Sequence, residues 1–174
     1  MTTRHYSAAL PFAYVLLRIL VILNWLLGAA IVALLIAMPH EQWIMSAFKL
    51  TPSPDTERLI WGLRGIATLG LVTIPINYLI LKRLLAMVDT VRAGDPFVAA
   101  NAHRLQWIAW ALLTLQLIGL AIAIIAELVS TPAHPVDLDA GFSFNGWLAV
   151  LLTFVLARVF AEGAGMRDDL EGTV

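Results

Sequence analysis

The stretch ILVILNWLLGAAIVALLIAM, Ile19 to Met38, carries no charged side chain. A helix needs roughly 20 such residues to cross ~30 Å of hydrocarbon at ~1.5 Å per residue. The feature recurs three times. Leu59 to Leu81, Ile108 to Leu128 and Phe142 to Ala161 are comparable runs, interrupted only by Arg64, Glu127 and Arg158. None alternates with period two over ten-residue segments, which argues against a membrane barrel. Helices are the remaining way to satisfy a backbone in lipid.

The sequence therefore predicts an all-α, polytopic membrane protein with a single domain over 1–174. It predicts a four-transmembrane-helix bundle with spans at about 14–38, 59–81, 105–128 and 143–164, the second continuing as a helix to about 92. Apolar residues make up 60 % of the chain and charged residues 13 %, against ~45–50 % and ~25 % in soluble domains. A soluble core of this size could not hide so much apolar surface. The net charge of −1 advertises no basic face, so no direct nucleic-acid binding is expected. The absence of cysteine excludes disulfides and thiolate chemistry. The first apolar run follows Arg4 and His5 but far exceeds the ~7–15 residues of a cleaved signal, so it reads as a retained helix.

Orientation follows from Lys and Arg. Arg4 and Arg18 mark the amino-terminal end, Lys82, Arg83, Arg92 and Arg104 the segment between spans two and three, and Arg158 and Arg167 the carboxyl-terminal end. The opposite side holds only Lys49, Arg58 and Arg64. Both termini and the 82–107 segment are expected in the cytoplasm. In the external loop Pro39 to Arg58, Trp43, Ile44, Ala47 and Phe48 fit one face of an interfacial helix, or a loop with Trp43 in the aromatic belt. Asp55 after Pro54 reads as a helix cap.

The polar interruption GDPFVAANAHRLQWIAW reads as the tip of a helical hairpin. Gly94 stops the preceding helix, Pro96 biases Asp95 away from helix, and Asn101 or Asp95 caps the next. Phe97 is an aromatic in a polar turn; it either tucks against the helices or docks a partner. Asp95, Phe97, Asn101 and Arg104 are the candidate partner-contact residues. In the tail VLARVFAEGAGMRDDLEGTV, Arg158 and Glu162 are neighbours on one helix face. Ala157, Ala161 and Gly165, like Ala29, Ala33 and Ala37, form small-residue stripes that admit a close helix.

Together VRAGDPFVAANAHRL and LARVFAEGAGMRDDLEGTV resemble the signature of a bacterial inner-membrane family, domain of unknown function 2975. Gly94, Asp95, Pro96, Phe97, Asn101, Arg104 and Leu105 match the first motif. Val159, Phe160, Gly163, Asp169, Thr173 and Val174 match the second; Met166 stands where the tail usually has Leu. The resemblance implies four transmembrane helices in the inner (plasma) membrane and no established activity. It also implies a genetic association with a small helix-turn-helix regulator, and hence a membrane partner for a transcription factor.

Charge near the bilayer core is costly, so its placement is informative. Arg64 and Glu127 fall near the outer ends of spans two and three, where they either pair or snorkel separately. Arg18, Asn77, Arg158 and Glu162 fall at similar depths on the inner side. Arg158 is expected to face the bundle and bond Glu162, Asn77 or a helix-end carbonyl. Pro75 frees a carbonyl near Leu71, with Thr73 and Asn77 as candidates to compensate.

The four histidines form no H-x-x-x-H pair. His40, Glu41, His134, Asp137 and Asp139 could gather an external metal, with solvated loop residues as the default. Nucleophile elbows, Walker loops and dinucleotide fingerprints are absent from the sequence. No enzyme, cofactor or metal is expected. The leading expectation is a regulatory or interaction protein with a protein partner, using the 82–107 hairpin and the tail. A structural accessory subunit of a larger membrane complex, a homo-oligomer among the options, is the second; a small transporter is the third.

Overall fold

A computed structural model describes residues 9–37, 53–131, 135–136, 138 and 141–171. The interfacial-helix expectation at Trp43 and the external metal set of His40, Glu41, His134, Asp137 and Asp139 lie outside these residues. The fold is all-α. Its helices are α1 (Ala9–Ala37), α2 (Pro54–Arg92), α3 (Ala99–Val129) and α4 (Phe144–Glu171). All four are long and apolar enough to cross a membrane.

At 39 residues, α2 is about 58 Å long, nearly twice the ~30 Å hydrocarbon layer. Its last turns carry Lys82, Arg83, Asp89 and Arg92, so this end is the one suited to project into water. The start of α2 is set by Ser53, whose hydroxyl accepts from the Thr56 amide at 3.2 Å. Ser53, rather than Asp55, is therefore the cap. Asp55 and Glu57 occupy the first turn, where negative charge suits the helix dipole.

Successive helices run antiparallel, and each packs on its neighbours in the chain: α1 on α2, α2 on α3, α3 on α4. Among the described residues no interface joins α1 to α4, α1 to α3 or α2 to α4. The four expected helices are present, and they pack as an open row with α1 and α4 at its edges. Lipid explains why closure is unnecessary. An apolar side chain facing hydrocarbon is as well solvated as one in a protein core, and Phe12, Ile36 and Leu128 are 69 %, 68 % and 67 % exposed.

The seams are made by close backbone approach and by a few polar ties. Gly28 faces Ile74, and Gly70 faces Ile31, across α1 and α2. Gly62 lies against Val129 across α2 and α3. There, Leu59, Ile60 and Val129 form a buried apolar cluster, flanked by Leu35 and Leu63. The Ala29 and Ala33 stripe, by contrast, is exposed.

Asn24 crosses the first seam. It is 9 % exposed, and its Nδ2 donates to the Ile74 carbonyl at 3.1 Å. That carbonyl immediately precedes Pro75, inside α2. Thr73 Oγ1 donates to Gly70 O at 2.7 Å, so the turn that precedes the proline carries two polar ties. Asn24→Leu removes the interhelical bond at the middle of α1. A loss of about 0.6–1.7 kcal/mol is expected, read as a lower melting temperature in detergent.

Candidate interaction site at the α2–α3 turn

The end of α2 is a Schellman motif. The Gly94 amide bonds Val91 O at 3.0 Å, and the Asp95 amide bonds Thr90 O at 3.0 Å. This closure requires a left-handed residue at the first position past the cap, and Gly94 has φ 87°. The chain then extends through Pro96 to Val98, the amino-terminal cap of α3, which makes no side-chain capping bond.

Asn101 is therefore no cap. It lies in the first turn of α3, wholly buried at 0 % exposure. Its Nδ2 donates to Thr90 Oγ1 at 2.7 Å and to Pro96 O at 2.8 Å. Its Oδ1 accepts from Arg104 Nη1 at 2.6 Å. Arg104 reaches Ala86 O at 3.5 Å. One amide thus ties α2, the turn and α3 together. As folded, Asn101 cannot touch a partner, which corrects that part of the contact set. Arg104 is half-buried in the same network.

The turn also reaches α4. The Phe97 and Phe160 rings lie 5.2 Å apart, tilted by 38°. A side-chain Cβ at Gly163 would fall 3.0 Å from Phe97 Cδ1, so glycine there lets the ring lie flat on the helix. Arg167 forms an ion pair with Asp95. Phe97 nonetheless remains 45 % exposed. The two sequence motifs are thereby halves of one clasp: Gly94, Asp95, Pro96, Phe97, Asn101 and Arg104 on one side, Phe160, Gly163 and Arg167 on the other. Beside it on α1, Tyr14 lies beneath the guanidinium groups of both Arg18 and Arg92, each 5.4 Å from the ring centre.

The intramembrane polar residues do not gather into one inner cluster. Arg18 donates to Tyr14 Oη at 2.9 Å on α1. Arg158 bonds Glu162 at 2.9 Å on α4, with the two side chains 78 % and 60 % exposed. The Arg158–Glu162 contact forms as the spacing predicts, but Arg158 faces outward rather than into a bundle. The reason is the open row, which holds α1 and α4 at opposite edges. Asn77 is half-buried on α2. Arg64 lies 4.9 Å from the centre of the Trp61 ring and Glu127 is exposed.

Thr90, Phe160 and Arg167 complete the clasp, and sequence reasoning gave them no role in it. The available signal was the convergence of two motifs whose other residues need partners of their kind: a phenyl ring for Phe97, a cation for Asp95, a hydroxyl for Asn101. No curated protein and no solved structure matches the chain. A family model described as a protein of unknown function, DUF2975, matches residues 45–174, and it contains both halves of the clasp. The chain belongs to the DUF2975 family.

Proposed function

We propose that the protein is a non-enzymatic, multi-pass membrane protein that binds a protein partner at its clasp, with both termini and the clasp in the cytoplasm. The observation that carries this reading is the exposed apolar surface at a polar, projecting helix end. Phe97 is seated on Phe160 yet 45 % exposed, Met166 is 64 % exposed, and Val91 is 36 % exposed. Apolar side chains exposed outside lipid are characteristic of protein contacts. The Lys and Arg count supports the cytoplasmic orientation. The family resemblance makes a small DNA-binding regulator the first partner to look for.

Met166→Glu tests the contact without removing a clasp residue. Recovery of a co-purifying cytoplasmic protein is expected to fall about tenfold or more, with the amount of the membrane protein unchanged. Undiminished recovery sinks the reading. Because the chain lacks cysteine, a single cysteine at Arg92 reports the side: a membrane-impermeant thiol reagent should label it only after the cells are opened.

The open row favours a second reading, an accessory subunit whose edges α1 and α4 dock on other membrane helices or on a second copy. Stoichiometric membrane subunits in the same purification, retained by Met166→Glu, would select it.

A further inference from the structure

Between α3 and α4, next to the clasp, lies a cavity of about 540 Å³. Its floor includes Ala102, Ala157 and Ala161, and its polar lining is His103, Gln106 and Arg158. A second hollow of about 340 Å³ shares His103 and Gln106 and adds Trp107 and Trp110. Both tryptophans are 53 % exposed. Arg83 lies 5.2 Å from the centre of the Trp107 ring, and Trp110 meets Phe154 edge-on at 5.3 Å. Half-exposed tryptophans beside arginines are the signature of the headgroup layer.

The donors here are largely unused. Arg158 gives its Nε to Glu162, which leaves Nη1 and Nη2 for another acceptor. That exposed pair holds the guanidinium only weakly. Among the described residues the His103 imidazole and the Gln106 amide make no hydrogen bond. Ala99, at the start of α3, also lines the cavity, and this helix end has no side-chain cap, so its dipole adds positive potential. Donors and positive potential call for an anion, and the aromatic wall of Trp110 and Phe154 on the membrane side calls for hydrocarbon.

We propose that this cavity binds an anionic phospholipid, its phosphate held by His103, Gln106 and Arg158 and its acyl chains running from there past Phe154 and Trp110 toward the membrane interior. A guanidinium fork matches phosphate geometry. The aromatic wall distinguishes a lipid from free phosphate, which needs no apolar bed.

The test is native mass spectrometry of the whole chain released from nanodiscs of equal phosphatidylglycerol and phosphatidylcholine. Phosphatidylglycerol is expected to be retained about fivefold over phosphatidylcholine, the factor that one interfacial cation contributes. Arg158→Gln should remove that preference. Trp110→Ala should remove the wall along which the chains run and lower retention of both lipids. Both substitutions alter exposed positions, so an unchanged melting curve is the folding control. Lys82→Gln, an exposed cation on α2 outside the cavity, should change nothing. Equal retention of the two lipids overturns the site. An effect of Lys82→Gln equal to that of Arg158→Gln means diffuse surface charge and also overturns it. Lost preference in Arg158→Gln with no effect of Trp110→Ala means a phosphate site without chains, and the lipid assignment falls.

Discussion

Asn101→Leu should cost the protein about 2–4 kcal/mol and lower its melting temperature in detergent by about 5–15 °C. The side chain is buried at 0 % exposure and makes three hydrogen bonds. Leucine fills similar space and satisfies none of them. Pro96 O, Thr90 Oγ1 and Arg104 each lose a bond in a site with little water, and each orphan costs about 1–3 kcal/mol before relaxation. Two acceptors on Nδ2 and one donor on Oδ1 fix the amide's orientation, so the roles can be separated. Asn101→Asp keeps the acceptor for Arg104 but sets a carboxylate oxygen against Pro96 O, and should be nearly as damaging as leucine. Thr90→Val removes one acceptor and leaves the bond to Pro96, so about 1 kcal/mol is expected. A wild-type melting curve for Asn101→Leu would show that the amide ties nothing. If partner recovery falls in this variant, it should fall with the fold, unlike the loss in Met166→Glu.

Gly62→Ala should destabilise the α2–α3 seam by about 1–3 kcal/mol. The new methyl would lie against both methyls of Val129, with Val129 Cγ2 and Cβ at 2.8 and 2.9 Å. Valine is stiff about χ1 and cannot turn both methyls away, so the backbones must part. Adding Val129→Ala opens the space, and the double variant should recover at least about 1 kcal/mol of the loss, a positive coupling. Gly146→Ala is the instructive contrast. There a Cβ meets the terminal amide of Gln116, the far end of a flexible side chain that can swing aside. A change within about 0.5 kcal/mol is expected. Equal melting of the two single variants would refute the argument from side-chain stiffness.

The helices were legible because a membrane span has to be long and apolar, and length survives in the sequence. The Gly94 stop was legible because only a left-handed residue closes that motif. Which faces meet was not. Hydrophobic periodicity reports an inside only when the outside is water, and lipid erases that contrast. A row and a bundle therefore write similar sequences. The seams are marked instead by Gly28, Gly62 and Gly70, where backbones approach, whereas the Ala29 and Ala33 stripe lies exposed. Asn24 carries no sequence signal of its own: a neutral amide at mid-helix needs a partner, but only the fold brings Ile74 O beside it. At the turn, Asp95, Phe97, Asn101 and Arg104 each hold a contact within the chain that the sequence did not place. A buried Asn and a solvent-facing Asn look alike until Thr90 and Pro96 are placed beside them.

The row also bears on how the chain is made. Every described helix interface joins consecutive helices, and the clasp ties the α2–α3 turn to the helix that follows α3. Each new hairpin can thus complete its contacts as soon as it leaves the ribosome, with no early segment waiting for a late one. Such low contact order favours rapid, stepwise assembly. The last step among the described helices is then the arrival of α4, which brings Phe160 to Phe97 and Arg167 to Asp95, so a nascent chain has its clasp only after its fourth helix has emerged.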